Sequence, residues 1–302
     1  EEKRLDMEKK SIKKNATLNI IKTIFSLVFP LITYPYALRV LQIEQIGKFE
    51  FSSSIVSYFS LLAALGIAAY AVREGSKYRN DRQKCSEFSS EIFSINMYST
   101  LVAYILLILC LVFVEKFQAY LPVILILSSE IILATVGVNW IYNIFEDFSY
   151  ITKITLALQI VAVILLFVFV HDRKDLYAYS IITVISSSGA GLFMFWHSRK
   201  YVTLHFVRKP SLAHLKPILI VFSTTIATTI YVSSDTTILG WIAGDYSVGL
   251  YGTSVKIYKI VKQVLNAVVA VVIPRFAFFI GTKDKENLEK LGNSLMNCMI
   301  LG

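Results

Sequence analysis

Apolar runs of bilayer length recur along the chain, separated by short polar segments. A helix rises about 1.5 Å per residue, so about 20 apolar residues cross a hydrocarbon core about 30 Å thick. On that measure the pattern predicts eight complete spans, at 18–38, 48–70, 92–114, 121–142, 154–170, 176–196, 217–241 and 248–274. A ninth run begins near Leu291 and is cut off at Gly302, so the sequence is expected to be the front part of a longer protein. Equivalent spans follow the first one, which is therefore not a cleavable signal peptide.

The pattern also repeats. Sliding the chain by 202 positions lays "IGKFEFSSSI" (46–55) over "VGLYGTSVKI" (248–257), matching Gly47 with Gly249, Phe49 with Tyr251, Ser52 with Ser254 and Ile55 with Ile257. The same offset places Arg73 on Arg275. Six spans separate the copies, an even number, so both cross in the same direction. A parallel repeat implies two lobes related by an axis along the membrane normal. The expected organisation is a basic arm (1–17), a first lobe of six spans (18–196), a linker (197–216) and the start of a second lobe (217–302). The fold class is an all-α polytopic membrane protein with parallel six-helix repeats, truncated after about eight spans.

Composition agrees: 55% of the 302 residues are hydrophobic and 17% charged, with a mean hydropathy of +0.61. The net charge of +9 suggests nucleic acid until its distribution is read. The arm holds Lys3, Arg4, Lys9, Lys10, Lys13 and Lys14, and the 2–3 loop Arg73, Lys77, Arg79, Arg82 and Lys84. The 4–5 loop adds Lys153, the 6–7 loop Arg199, Lys200, Arg208, Lys209 and Lys216, and the 8–9 loop Arg275, Lys283, Lys285 and Lys290. The opposite side has only Arg39, Lys48, Lys116, Arg173 and Lys174. That asymmetry is the positive-inside rule with a cytoplasmic amino terminus. No nucleic-acid partner is implied; the lipid bilayer is. Cys85, Cys110 and Cys298 lack metal-site spacing, and no disulfide is expected.

Four cations lie inside spans. Lys22 is near an end and can snorkel. Lys256, Lys259 and Lys262 are not helix-end residues, because span 8 starts near Val248 and Lys256 lies about 12 Å deep. Each central lysine costs about 2.5–3.5 kcal/mol on the insertion scale. Positions i, i+3 and i+6 fall within one arc of a helix. They either snorkel or form structural ion pairs, or line a water-filled cavity that receives an anion. Asp235, at a similar depth in span 7, can pair with Lys256, as charge neutralisation or as part of a coupling-ion site. Under the 202-residue offset the lysines fall on Ser54, Ser57 and Ser60, so both lobes carry a polar stripe. Glu130 in "LSSEII" is a buried carboxylate with serine neighbours. Pro30 and Pro35 remove helical donors and should bend span 1 as a hinge.

Catalytic patterns are missing. Gly47-Lys48 lacks the Ser/Thr and upstream glycine of a phosphate loop, and His171, His197, His205 and His214 form no metal or triad pattern. The chain is expected to be no enzyme, to hold no metal and no cofactor, and to act in passive or secondary transport, with H+ or Na+ as the candidate coupling ion.

Several stretches together carry a resemblance: "FPLITYPYALRVL" (29–41), "IGKFEFSSSIVSYFSLLAALGI" (46–67), "AVREG" (71–75), "GVNWIYNIFEDFSYIT" (137–152), "SSDTTILG" (233–240), "SVGLYGTSVKIYKIV" (247–261) and "VIPRF" (272–276). In order and spacing they resemble bacterial oligosaccharide flippases of the multidrug/oligosaccharidyl-lipid/polysaccharide exporter superfamily. The resemblance implies a two-lobe multidrug-exporter-like bundle of twelve to fourteen spans in the bacterial cytoplasmic membrane, working by alternating access through a central cavity. The implied cargo is an undecaprenyl-pyrophosphate-linked oligosaccharide, a repeat unit for capsule or O-antigen, with polymerase and glycosyltransferases of the same pathway as partners. Asp235 and Lys256 match the family's charged positions, and Arg39 its "R-V-L" turn. Gln42 stands where the family usually has glycine, and Ala68 where a proline is common. Rival readings are a drug or cation antiporter, disfavoured by the lysines, a lipid-linked cell-wall precursor flippase, and a membrane-embedded enzyme.

Overall fold

The computed structural model describes the backbone of residues 2–281 together with 287 and 292, and side chains over 25–263 except at 26 and 27, and at 287. The ninth apolar run and Cys298 lie outside the described residues. Chain packing gives two units, Glu1–Gly252 and Thr253–Gly302. The first holds α1 (Glu2–Ala64), α2 (Ile67–Gly75), α3 (Arg82–Phe113), α4 (Glu115–Gln118), α5 (Leu121–Gly137), α6 (Asn139–Phe145), α7 (Phe148–Phe169), α8 (Leu176–Ser188), α9 (Ala190–Ser198) and α10 (Leu215–Ile242). The boundary falls within α11 (Gly244–Gly281). No strand occurs among the described residues.

Five helical stretches of the described residues are long and apolar enough to cross a membrane: Val28–Tyr78, Arg82–Phe113, Phe148–Phe169, Arg173–Ser198 and Leu212–Ile242. The chain is an all-α polytopic membrane protein. Its polarity runs outside-in. On α3 the exposed positions include Leu101, Val102, Ile105, Ile108, Leu109 and Val112, while Ser89, Ser90, Ser94, Ser99 and Thr100 are buried. Water rarely tolerates so large an apolar surface, and acyl chains cover it.

Three details depart from the expected spans. Spans 1 and 2 are two arms of α1 with no loop between them, and the break is a single residue, Gln42, at φ 67° and ψ 164°. Pro30 and Pro35, expected to kink span 1, both lie in helical backbone. Each lacks one donor, a defect that membrane helices absorb without leaving helical dihedrals. Span 4 is the shorter apolar helix α5, carried on by α6 after a break at Val138, whose φ is 41°.

Polar side chains inside the bundle close the ends that the breaks open. Leu65 and Gly66 have positive φ where α1 gives way to α2. The freed carbonyl of Ala63 accepts from Asn96 Nδ2 at 2.8 Å and from Ser99 Oγ at 2.6 Å, both on α3. At its other end α3 is capped by Asp81, whose Oδ1 accepts from the backbone N–H groups of Gln83 and Lys84, each at 3.1 Å. This cap satisfies donors that a first turn otherwise leaves open. Between α9 and α10 the chain runs extended along α3. The N–H groups of Thr203, His205 and Val207 donate to Ser86, Ser90 and Ser94 Oγ at 3.1, 3.2 and 2.7 Å. Two extended residues span about 6.6 Å and four helical ones about 6 Å, so the two periods keep step.

Successive helices therefore alternate between two ends. One carries the basic loops, with Arg79 bonded to Glu146 and Arg82 to the Arg199 carbonyl. The other, the short-loop end, gathers residues near 42, 116, 173 and 243.

Gln42 occupies a backbone region that only glycine visits freely, at a cost of order 1–3 kcal/mol for other residues, and its side chain is exposed. Gln42→Gly is expected to stabilise the protein by about 1 kcal/mol after the extra chain entropy of glycine is subtracted. A thermal melt of the purified protein checks this, and an unchanged or lower midpoint counts against the strain.

Candidate functional site

The intramembrane polar residues fall into separate groups. The second arm of α1 meets α10 through hydroxyls. Ser57 Oγ donates to Ser233 Oγ at 3.0 Å, Thr237 Oγ1 donates to Ser54 Oγ at 3.0 Å, and Tyr58 Oη shares a 3.1 Å bond with Thr237 Oγ1. Ser60 belongs elsewhere and lines a cavity of about 220 Å³ with Asn96, Thr135 and Trp140. Thus Ser54 and Ser57 serve a helix–helix contact, and only Ser60 faces open space.

At 100° per residue, Asp235 is turned about 200° from Ser233 and from Thr237, away from α1. It is exposed, and its Oδ2 accepts from Tyr251 Oη at 2.8 Å. Lys256 lies just over one helical turn beyond Tyr251. Lys256 is half-buried, and Lys259 and Lys262 are exposed. All three sit on α11 in the second unit, on one arc of an unbroken helix, and Lys262 Nζ lies 5.8 Å from the Tyr258 ring centroid. The expected Asp235–Lys256 pair would join the two units and remains an expectation.

Glu130 is half-buried on α5 and accepts from Ser187 Oγ of α8 at 2.6 Å. Its neighbours Ser128 and Ser129 turn back onto the carbonyls of Leu125 and Ile126. The serine that holds it is thus 57 residues away. Arg39 is exposed, three residues before the Gln42 break, and makes no ion pair among the described residues.

The repeat is visible as a contact. A Cβ built on Gly47 would overlap the Asp245 carbonyl oxygen, and one built on Gly249 would overlap the Ile43 carbonyl oxygen. Gly47 and Gly249 stand 202 apart, and so do Ile43 and Asp245. Such reciprocity, in which i touches j′ and j touches i′, is what a twofold relation produces. The starts of spans 2 and 8 cross there, backbone to backbone, because neither carries a side chain.

Around this crossing the short-loop end is tied by Lys116, read from sequence only as loop charge, and by Tyr120. Lys116 Nζ donates to the Gly240 and Trp241 carbonyls at 2.6 and 3.1 Å and lies over the Phe51 and Trp241 rings at 5.8 and 5.2 Å. These are the open carbonyls of the last turn of α10, where a cation is favoured. Tyr120 Oη donates to Asp245 Oδ1 at 2.6 Å. Burial and that carboxylate push the Tyr120 phenol up, so it stays a donor. At the opposite end, His214 lies between Tyr70 Oη (2.7 Å) and Glu91 Oε2 (3.0 Å), pinning the start of α10 to α2 and α3. Partners more than a hundred residues apart leave no local signal.

Comparison with known proteins adds the following. A family model described as "Polysaccharide biosynthesis protein" matches residues 12–279. A protein of Escherichia coli strain K12 named "Putative O-antigen transporter" is 24% identical over 291 residues, covering 90% of this chain and 66% of the relative. A relative of the same name from Shigella dysenteriae is 23% identical, covering 92% of this chain and 70% of its own length. The chain thus spans about two thirds of the curated relatives that it matches. A solved structure of a chain called "protein A" aligns at a TM-score of 0.63 and 15% identity, covering 93% of this chain and 68% of the other. That likeness speaks to the fold.

The crossing generates a test. Gly47→Ala or Gly249→Ala must force the two helices apart, at about 1–3 kcal/mol. Gly252→Ala, whose new methyl would meet only the flexible Glu50 side chain at 3.0 Å, is expected to change the melting temperature much less. Equal effects of all three substitutions would remove the crossing from the argument.

Proposed function

Because this chain belongs to the polysaccharide biosynthesis protein family, we propose that it is part of a transporter that moves lipid-linked oligosaccharide units across a bacterial cytoplasmic membrane. The observation that carries this reading is the family match over residues 12–279 together with three lysines on one arc of α11. The names of the two curated relatives support an O-antigen cargo. The finer reading is an undecaprenyl-pyrophosphate carrier whose headgroup crosses from the inner to the outer leaflet, with the amino terminus in the cytoplasm.

In this mechanism the diphosphate and sugars occupy a water-filled cavity while the polyprenyl tail stays in lipid. Lys256, Lys259 and Lys262 replace phosphate hydration as point charges, a role that suits an ammonium group better than the geometric fork of arginine. Asp235 is held by Tyr251, and its expected pairing with Lys256 would tune that lysine. The two lobes rock about the Gly47–Gly249 crossing. Moving an anion outward from a negative interior is electrically downhill and releases about 2.3 kcal/mol per net charge per 100 mV, so the charge of the cargo itself assists export. Coupling to H+ or Na+, with Asp235 or Glu130 as the carboxylate, would add to that drive. On this reading no cofactor or catalytic metal is needed and the chain performs no covalent chemistry; glycosyltransferases and a polymerase act before and after it.

Replacing Lys256 and Lys259 together with alanine in the full-length protein is expected to reduce polymer export at least tenfold at unchanged protein level. The Lys→Arg pair should retain part of the activity, since it keeps charge and loses only shape. Undiminished export by the alanine pair would take the lysines out of the mechanism.

A further inference from the structure

At the short-loop end the first unit contains a second cationic place, apart from α11. A half-open cavity of about 340 Å³ lies between the second arm of α1, the α4–α5 junction and the turn before α8. Lys48, Arg173 and Lys174 line it, with Gln45, Tyr120 and Tyr177. No acidic side chain does. These cations come from segments about 125 residues apart. They are three of the five Lys/Arg assigned to this end from sequence, and a fourth, Lys116, is consumed by the carbonyls of α10.

The local carboxylates do not line the cavity. Asp175 Oδ2 accepts from the N–H groups of His171 and Asp172, each at 2.9 Å, and Asp172 Oδ1 accepts from the Arg173 N–H at 2.6 Å. Both acids cap the turn and neither lines the cavity, so they offset its charge only from outside it. Asp245 is engaged by Tyr120. Among the described residues Lys48, Arg173 and Lys174 make no ion pair. Like charges repel by about 2 kcal/mol at 8 Å at an effective dielectric of 20, so three cations around a cavity with no acidic side chain in its lining favour an anion there.

We propose that this cavity binds a phosphate or diphosphate group at the face of the membrane opposite the basic loops. Arg173 offers the planar fork that takes two phosphate oxygens, and the lysines add charge. Tyr177, half exposed beside them, sits as aromatic residues do at a headgroup boundary. The source of the phosphate is either the diphosphate of the transported lipid, met as it leaves the cavity, or the headgroup of a bulk anionic phospholipid. The place of the site in export rests on the reading above; binding itself does not.

The test uses full-length protein in which Lys256, Lys259 and Lys262 are alanine, so that only this site is scored. Inorganic pyrophosphate is titrated calorimetrically, before and after Lys48→Gln, Arg173→Gln and Lys174→Gln are combined. A loss of at least tenfold in affinity supports the proposal with a soluble diphosphate as ligand. In a second arm the same proteins enter nanodiscs of phosphatidylcholine with or without phosphatidylglycerol, and retained lipid is counted by native mass spectrometry. Loss of phosphatidylglycerol alone assigns the site to bulk headgroups. Should the combined variant unfold, protection of Lys48 and Lys174 from an amine-reactive reagent by pyrophosphate or phosphatidylglycerol is read on otherwise unaltered protein. No protection, or binding of both probes unchanged by the three substitutions, overturns the proposal. Export lost through α11 with this site intact would separate its failure from that of the transport reading.

Discussion

A backbone carbonyl or amide stripped of water and left unpaired costs several kcal/mol in hydrocarbon. Most of this architecture is what remains once that cost is avoided at every break. The chain interrupts its helices at Gln42, Leu65–Gly66, Val138 and Glu146. At Leu65–Gly66 the exposed carbonyl of Ala63 is covered twice from α3. The end of α10 is covered by Lys116. The linker, which has no helix of its own along 202–207, borrows acceptors from three serines of α3. Buried hydroxyls that would look misplaced in a soluble core are here the means of closing a ledger of donors and acceptors. Each such bond contributes only about 0.6 kcal/mol in a membrane helix pair, so their value lies in what their absence would expose.

The same constraint explains why the two repeats meet at glycine. Helices gain little from burying apolar surface where lipid is equally apolar, so close backbone approach and dispersion must hold them. Gly47 and Gly249 permit an approach that any Cβ would block. Since the overlapping carbonyls, of Asp245 and Ile43, are related by the same 202-residue offset, the contact has to satisfy itself from both sides. A change at one glycine cannot be relieved by adjusting its partner alone.

Periodicity made the helices legible, and the 202-residue offset paired Gly47 with Gly249 without telling that the two segments cross there. Length and apolarity alone carry the membrane assignment. What stayed hidden was of two kinds. The break between spans 1 and 2 is a single residue, Gln42, where the only signal was a glutamine at a place the resembled family gives to glycine. The Ser86, Ser90, Ser94 ladder was present as an i, i+4, i+8 spacing, but nothing local says that an extended strand will lie on it. Lys116, Tyr120, His214 and Ser187 find partners between 57 and 144 residues away, and single-sequence reading has no access to such pairs. Glu130 was placed among its serine neighbours, yet those hydroxyls bond to their own helix.

One asymmetry within the repeat follows from electrostatics. The offset pairs Ser54, Ser57 and Ser60 with Lys256, Lys259 and Lys262, so fold positions that are equivalent carry hydroxyls once and ammonium groups once. Were both copies cationic, equivalent lysines approaching within about 8 Å would repel by about 2 kcal/mol per pair at an effective dielectric of 20, and three pairs would oppose any closed state by several kcal/mol. Charge confined to one copy leaves the other free to pack, as Ser54 and Ser57 do against Thr237 and Ser233.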